Sequence, residues 1–418
     1  MMNEQAPIKG RITVIGIGED GFDGLSAMAR SILENASIIF GGKRHIAMLP
    51  GSNTATQNKW ITPFEANLPL IEDCLDQNPV VLASGDPMYF GVGNTLIKYF
   101  GPEPIYAIPA PSSISLAASR LGWPLAECDV ITLHGRDPES LRAHLRPHGK
   151  LIALSADGTT PALVAVMLCE AGFDQSRMSV CERLGGPEER ITTQTARTWQ
   201  STATSMPDVK SVDPLNLIMI DLEAGPNAKP LPKGPGLPDD AFIHDGMITK
   251  SEIRAQTLAS LAPFDGGVLW DLGAGCGSIS IEWKRMGGLA VAIERDGERC
   301  AMIKKNAIRL GVPTLAIEQK SIEEALSFAD RLPKPDAIFI GGGITIDGLL
   351  ESCWDLLPTH GRLVANTVTL EGEEKLLRFY NKNGGSLSRL SVSRLVPRGG
   401  FKGWSNLAPV THYLGVKA

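Results

Sequence analysis

The sequence predicts an α/β protein in two parts, two α/β lobes followed by a doubly wound sheet of seven strands. Three observations carry this. Short β-branched runs alternate with longer amphipathic stretches along nearly the whole chain, which is the pattern of layered helices and sheets. One stretch, 225–238, breaks that alternation by drawing eight of its fourteen residues from proline and glycine. The length of 418 residues exceeds one domain and fits two or three at roughly 150 residues each.

In the first part, residues 1–224, strands are expected at 12–15, 37–40, 80–83, 105–108, 130–133 and 151–154. Amphipathic spacing places helices between them, for example at 26–35, 91–100, 112–121 and 160–171. Three further strand-like runs, 178–182, 191–195 and 217–221, follow without comparable helices. That change of pattern reads as two lobes meeting near 109–113. Residues 225–238 cannot hold a helix or a central strand, and the proline density reads as a semi-rigid spacer. The second part, 239–418, opens with a helix at 250–261 and continues as strand 268–272, helix 278–286, strand 290–294, helix 298–310 and strand 315–318. Strand 337–340, helix 346–357, strand 362–368 and helix 373–383 follow, then two strand-like runs at 386–396 and 408–416 that suggest a terminal hairpin.

Composition narrows the function. Hydrophobic residues at 43% and charged residues at 21% are an ordinary globular balance, unlike disordered, collagen-like or coiled-coil chains. No stretch approaches the roughly 18 to 20 apolar residues of a membrane span, and residues 1–10 lack a signal peptide's apolar run. A soluble, cytoplasmic protein is expected, with no membrane partner. A net charge of −6 provides no long-range field to gather nucleic acid. The seven cysteines are odd in number, scattered and without a C-x-x-C pair, which argues against a disulfide framework and a zinc knuckle. His144 and His148 have i,i+4 spacing, but Pro147 and Gly149 interrupt the helix that a metal pair would need. No metal site is expected.

The sharpest local signal is Asp271-Leu-Gly-Ala-Gly-Cys-Gly-Ser278, between a strand and a helix. Gly273, Gly275 and Gly277 let backbone pass close to a ligand, and the open N–H groups of the helix start favour a polar or anionic group. The next strand ends at Glu294, where a carboxylate can accept from both hydroxyls of a ribose. A dinucleotide loop is G-x-G-x-x-G, whereas this one is G-x-G-x-G with an acid ahead of it. An acid suits a cofactor's ammonium and repels a pyrophosphate, so S-adenosylmethionine is favoured over NAD. The first part carries Gly16-Ile-Gly18-Glu-Asp-Gly21 after a strand, but no acid ends the next strand and no helix starts at the second glycine. That match to a dinucleotide site is declined. Two further loops stand out. Ala83-Ser-Gly85-Asp86-Pro-Met-Tyr89 follows an apolar strand and taken alone is turn chemistry. Pro109-Ala-Pro-Ser-Ser113-Ile114-Ser115 offers hydroxyls that can cap a helix or meet a ligand.

The segment 12–50, with Gly16-Ile-Gly-Glu-Asp-Gly and Phe40-Gly-Gly-Lys-Arg-His45, together with Gly85-Asp-Pro and Pro111-Ser-Ser-Ile-Ser, resembles the tetrapyrrole methylase family. The second part, from Asp239-Asp-Ala-Phe-Ile through Gly341-Gly-Gly and Arg362-Leu-Val-Ala-Asn-Thr-Val-Thr-Leu-Glu371, looks like the decarboxylating C15-methyltransferases of corrin synthesis. The resemblance implies a two-lobed tetrapyrrole methylase fold, then a Rossmann-like methyltransferase, and two S-adenosylmethionine sites per chain. It also implies a homo-oligomer of cobalamin biosynthesis acting on a metal-free tetrapyrrole, precorrin-6Y. Carried over by position, the first cofactor pocket would use Gly16, Gly18, Gly85, Asp86, Tyr89, Ser113, Ile114 and Ala156. The second would use Thr249, Asp271, Gly273, Ala274, Gly275, Cys276, Gly277, Glu294, Ser321 and Ile322. Many relatives place Asp where Ser321 stands, and serine accepts the same hydrogen bond more weakly.

A sulfonium methyl is already electrophilic and a reduced tetrapyrrole's enamine carbon already nucleophilic, so alignment is the protein's main task. That accounts for the lack of a Ser-His-Asp or Cys-His pattern, and catalytic residues stay unassigned. For decarboxylation a positioned acid helps, and His244, Asp245 and Glu252 are candidates by location alone. Residues 375–418 hold eight Lys and Arg and no Asp or Glu. Arg394, Arg398 and Lys402, around Gly399-Gly400, are expected on a loop between the last two strands, where they would grip substrate carboxylates. An RNA-modifying methyltransferase, which needs a basic and aromatic face, and a non-catalytic tetrapyrrole or S-adenosylmethionine sensor remain as alternatives.

Overall fold

The structure, a computed structural model, describes residues 10–205 and 212–418. It divides into two compact units, Met1–Arg136 with Pro147–Ala228, and Asp137–Arg146 with Lys229–Ala418. Among the described residues no helix is long and apolar enough to cross a membrane.

The first unit begins with five parallel strands, β1 (Ile12–Ile17), β2 (Ile38–Gly41), β3 (Thr56–Lys59), β4 (Val80–Ser84) and β5 (Ile105–Ile108), in the order β3-β2-β4-β1-β5. Helices α1 (Ala27–Glu34) and α2 (Lys43–Ala47) lie on one face, where Ala29, Leu33 and Ile46 meet Ile15, Ile39 and Leu82. Helices α3 (Asn67–Glu72) and α4 (Val92–Phe100) lie on the other, where Leu68, Ile71 and Leu96 meet Val14, Phe40 and Val81. Cover on both faces makes the central strands continuous apolar runs, as parallel sheets require. Ser26 caps α1 by accepting the Ala29 N–H at 3.2 Å. The strand β3 was not expected: Thr-Gln-Asn-Lys is polar and mostly exposed, and pairs with β2 at the sheet edge.

Helix α5 (Ser113–Leu121) leads into the second lobe, built on β6 (Cys128–Thr132), β7 (His148–Leu154), β8 (Arg177–Glu182), β9 (Arg190–Thr195) and β10 (Asn216–Glu223). Their order is β6-β7-β10-β8-β9, with only β6 and β7 parallel. Ile114 and Ala117 of α5 pack on Ile152, Leu217 and Met219. Helix α6 (Thr160–Glu170) lies alongside α7 (Ala196–Ser205), a helix that the sequence reading did not place.

In the second unit, β11 (Val268–Leu272), β12 (Leu289–Glu294), β13 (Ala316–Gln319), β14 (Ala337–Ile340), β15 (Arg362–Thr367), β16 (Ser386–Leu390) and β19 (Val410–Val416) form one sheet, in the order β13-β12-β11-β14-β15-β19-β16. Five strands run parallel, and β19 is antiparallel to both neighbours, β15 and β16. Helices α8 (Ser251–Leu261), α9 (Ser278–Arg285) and α10 (Gly297–Arg309) cover the face that takes Leu269 and Ala292. Helices α11 (Ile322–Ser327), α12 (Leu349–Leu356) and α13 (Leu370–Asn383) cover the face that takes Trp270 and Val291. Consecutive strand residues thus feed opposite cores, as the two-residue pleat dictates. The expected run at 386–396 is two strands. After β16 the chain forms a separate hairpin, β17 (Ser393–Arg398) and β18 (Phe401–Asn406), before returning as β19.

The stretch expected as a spacer is anchored on the second unit at Leu231 and at Gly236–Leu237, while 232–235 stay exposed. Leu237 has no exposed surface, and Glu282 of α9 accepts the N–H groups of Gly236 at 2.5 Å and Leu237 at 3.0 Å. Arg254 of α8, also fully buried, pairs with Glu282 at 2.5 Å and donates to the carbonyls of Leu237 and Thr249. Proline and glycine leave backbone groups without helix or sheet partners, and this ion pair satisfies several of them. Replacing Arg254 with Met strands the Glu282 carboxylate. The second unit's unfolding transition should then fall by about 3–5 kcal/mol, read by denaturant titration of the full chain, with the first unit's transition unmoved.

Candidate functional site

In the first unit the strand ends surround a cleft of about 370 Å³. Residues 17–19 at the end of β1, Arg44 and His45 of α2, Ser84 at the end of β4 with Gly85 after it, Tyr89, and 111–114 at the start of α5 line it, with Arg183 and Asn216 from the second lobe. Of the residues assigned by resemblance, Gly18, Gly85, Tyr89, Ser113 and Ile114 line this cleft, and Asp86 lines a hollow that shares Tyr89 and Ile114 with it. Gly16 and Ala156 do not line it. Gly16 is buried in β1, where an added Cβ would lie 1.8 Å from the Gly85 carbonyl oxygen, so its glycine lets two strands' loops converge. The Ala156 N–H donates to Thr160 Oγ1 at 3.2 Å. Asp86 Oδ1 accepts the Met88 N–H at 2.8 Å, so Asp86 also closes its own turn. Gly85 itself takes φ +55°, and an added Cβ would meet Ser112 Cα at 2.8 Å.

The sequence reading assigned no role to Glu19, Arg44, His45 or Ser84, which the fold brings together. Glu19 pairs with Arg44 and has Arg183 Nη1 at 3.8 Å. Arg44 Nη2 stands 3.0 Å from both His45 Nε2 and Ser84 Oγ, and Ser84 Oγ stands 2.9 Å from His45 Nε2. Burial, and then the Arg44 charge, pull His45 down to about 4. Its Nδ1 is buried without a partner. The signal for this cluster was the segment Phe40-Gly-Gly-Lys-Arg-His45, whose partner Ser84 lies 39 residues away.

In the second unit, Gly273, Gly275 and Gly277 all have positive φ, between +60° and +80°. An added Cβ on Gly273 would sit 3.1 Å from the Gly342 nitrogen, so the β11 and β14 loops meet backbone to backbone. Glu294 at the end of β12 accepts the Gly275 N–H at 2.9 Å and the Asp296 N–H at 3.1 Å, which ties it to the glycine loop. Ala274 and Cys276 are buried, and burial pushes the Cys276 thiol up. The Thr249 carbonyl is held by Arg254. Ser321 caps α11: its Oγ accepts the Glu324 N–H at 3.1 Å while Glu324 accepts the Ser321 N–H at 2.8 Å. Ile322 packs where a Cβ on Gly343 would fall, 2.7 Å from its Cδ1. Asp271 is buried, accepts from Ser280 N and Oγ at 3.1 and 2.6 Å through Oδ2, and has no partner at Oδ1. A buried carboxylate oxygen without a partner fits the cationic amino-acid end of S-adenosylmethionine, which supplies the missing positive group.

The basic trio sits on the β17–β18 hairpin, not on a loop between the last two strands, because Gly399-Gly400 is a tight turn joining paired strands. Arg394 pairs with Asp239 at 2.8 Å and Glu252 at 2.5 Å. Arg398 donates to the Trp404 carbonyl at 3.1 Å, and Lys402 is exposed. The Arg394 hydrogen bond, foremost, holds Glu252 down to about 2, and the Met247 N–H with Arg299 pulls Asp245 down. Both stay carboxylates, unsuited to donating a proton. His244 accepts the Gly246 N–H at its Nδ1.

Fold and glycine loops together define an S-adenosylmethionine-dependent methyltransferase built from two α/β modules. A family model for tetrapyrrole (corrin/porphyrin) methylases matches residues 11–199, and one for a precorrin methyltransferase domain matches 240–417. Curated relatives named precorrin-6Y C(5,15)-methyltransferase (decarboxylating) match end to end. The Sinorhizobium sp protein is 43% identical over 417 residues, 99% of this chain and 98% of its own. The Mycobacterium tuberculosis protein is 42% identical over 408 residues, 96% and 98%. The crystal structure of the C-terminal domain of precorrin-6Y C5,15-methyltransferase from Rhodobacter capsulatus is 41% identical, covering 45% of this chain and all of that one, with a TM-score of 0.42. The chain belongs to the precorrin-6Y C(5,15)-methyltransferase (decarboxylating) family.

Asp271 also makes stability depend on pH. Burial raises it to about 6, with the Ser280 hydrogen bonds opposing. An unfolded aspartate titrates near 4, so the folded chain holds an extra proton between about pH 4 and 6. Its contribution to stability is therefore complete below that window and lost as pH rises through it. Relative to Asp271→Asn, the wild-type unfolding free energy should drop by about 2 kcal/mol from pH 4 to 7. Parallel curves for the two proteins would refute the assignment.

Proposed function

We propose that this chain is a bifunctional C-methyltransferase of cobalamin synthesis that methylates precorrin-6Y at C5 and C15 and decarboxylates the C12 acetate, giving precorrin-8X. The observation that carries this reading is one glycine-loop module in each half of a single chain, matched end to end by relatives whose names hold both methylations and the decarboxylation. Each unit is assigned its own S-adenosylmethionine site. In the first, Gly18, Gly85, Asp86, Tyr89, Ser113 and Ile114 surround it. In the second, 273–277, Asp271 and Glu294 do, with Thr249, Ser321 and Ile322 at its margins. The cofactor supplies an electrophilic methyl group, and the residues of each site align it with a ring carbon while keeping water out.

Decarboxylation breaks the bond between the acetate methylene and its carboxyl carbon, the electron pair passes into a protonated ring, carbon dioxide leaves, and the methylene carbon then takes up a proton to end as a methyl group. Among the three candidates by location, the ion pairs of Asp245 and Glu252 leave His244, which must first take up a proton on Nδ1 and give up the Gly246 N–H there before it can serve as the acid. For the substrate's carboxylates, Arg398 and Lys402 carry no ion pair among the described residues, whereas Arg394 must first give up Asp239 or Glu252. The hairpin also exposes Phe401 and Trp404, at 84% and 67%, a surface that a homo-oligomer can cover. All seven cysteines are unpaired, which suits a reducing cytoplasm.

Calorimetry should count two S-adenosylmethionine sites per chain. An added Cβ on Gly275 meets only the Met247 carbonyl oxygen, at 3.5 Å, so Gly275→Arg sends its side chain and charge into the loop's ligand space. That variant should keep one site and C5 methylation while losing C15 methylation and carbon dioxide release. One site in the wild-type chain would refute the two-site reading.

A further inference from the structure

The first unit's cleft holds a hydrogen-bond cluster in which Arg44 is the fixed donor. Arginine only donates. Arg44 Nη2 reaches both His45 Nε2 and Ser84 Oγ at 3.0 Å, so Nε2 presents its lone pair and the ring proton sits on Nδ1. That one lone pair takes either the Arg44 N–H or the Ser84 O–H, 2.9 Å away, and in both arrangements Ser84 Oγ accepts from Arg44. One lone pair of Oγ is left. Ser84 is the exposed member of the cluster, at the C-terminal end of β4 on the cleft wall, while His45 is buried and Glu19 holds the far side of Arg44.

Burial and Arg44 keep His45 neutral at neutral pH, so Nε2 can remain an acceptor. The free lone pair of Ser84 Oγ, exposed on the cleft wall, can therefore take a hydrogen that a ligand brings.

We propose that Ser84 Oγ accepts a hydrogen bond from a ring N–H of the tetrapyrrole in the first-unit methylation, with Arg44 and His45 as positioning residues. The inference rests on the corrin-ring function proposed above. The ring carbon forms its bond to the methyl group with the enamine electron pair, the electrons of the old methyl bond stay on sulfur, and the positive charge ends on the ring nitrogen. Its N–H grows more acidic as that happens, so the hydrogen bond to Ser84 is stronger in the transition state than in the ground state. The proton leaves to water afterwards.

The test uses the full chain, precorrin-6Y and methyl-labelled S-adenosylmethionine, with each methyl located by mass spectrometry and NMR. Ser84→Ala should lower kcat for C5 methylation by about 10- to 100-fold, the worth of a hydrogen bond to a charged group. KM, C15 methylation, carbon dioxide release and cofactor affinity should hold. Ser84→Thr, which keeps the hydroxyl, should restore most of the rate. Wild-type C5 methylation by Ser84→Ala overturns the proposal. So does weakened cofactor binding in that variant, which moves the acceptor to the cofactor's ammonium, and so does a loss of both methylations with a lower Tm, which makes Ser84 structural. A wild-type chain that transfers no methyl group to precorrin-6Y fails the function itself, a separate outcome.

Discussion

Each unit is organised around a place where two strand-end loops touch through backbone alone. In the first, Gly16 leaves no room for a side chain against the Gly85 carbonyl. In the second, Gly273 stands in the same relation to Gly342. Parallel sheets bring several loops to one edge, but loops carrying side chains would hold each other apart. Glycine removes that spacing, and the residues next to each contact then converge. Glu19 and Ser84 reach one cleft in the first unit, and Glu294 reaches the Gly275 N–H in the second. Gly16 and Gly273 are thus required by the neighbouring loop, whatever ligand comes near.

The second unit adds an electrostatic constraint. Asp239 lies between two arginines, with Oδ1 toward the buried Arg254 at 3.3 Å and Oδ2 toward Arg394 at 2.8 Å. Arg254 cannot leave, since Glu282 and two carbonyls depend on it. Arg394 is a third exposed and shares its charge with Glu252. The same carboxylate therefore belongs to a permanent core pair and to an exchangeable surface pair, and these differ in cost to break because only the first is cut off from water.

Much of this architecture is legible in the sequence, for reasons that differ by element. Run 337–340 is apolar throughout and run 268–272 apolar but for Asp271, because helices cover both faces, and their limits coincide with β11 and β14. The glycine loop 271–278 is contiguous, so its geometry follows from its own residues. Elements without a local hydrophobic signal escape: β3 is four polar residues whose strand exists only through pairing with β2. Helix α11 carries its start signal locally, in the capping box Ser321-x-x-Glu324. The cluster around Ser84 is illegible for a deeper reason. Its members come from the β1 loop, α2 and the end of β4, and only the parallel register Ile17↔Ser84 brings the first and last together.

The insertion of β19 between β15 and β16 matters for a chain that is made from one end. Residues 386–390 are synthesised well before 410–416, yet they reach the sheet only through them. Until then β15 offers a bare edge beside the buried core, and β16 has nothing to pair with. Tyr413, with no exposed surface, closes that gap between Phe379 and the sheet. During synthesis the nascent second unit must therefore wait with an open β edge, the kind of surface that invites pairing with another chain. Folding of this unit is finished by its last strand, so a ribosome that stalls short of it leaves an aggregation-prone sheet behind.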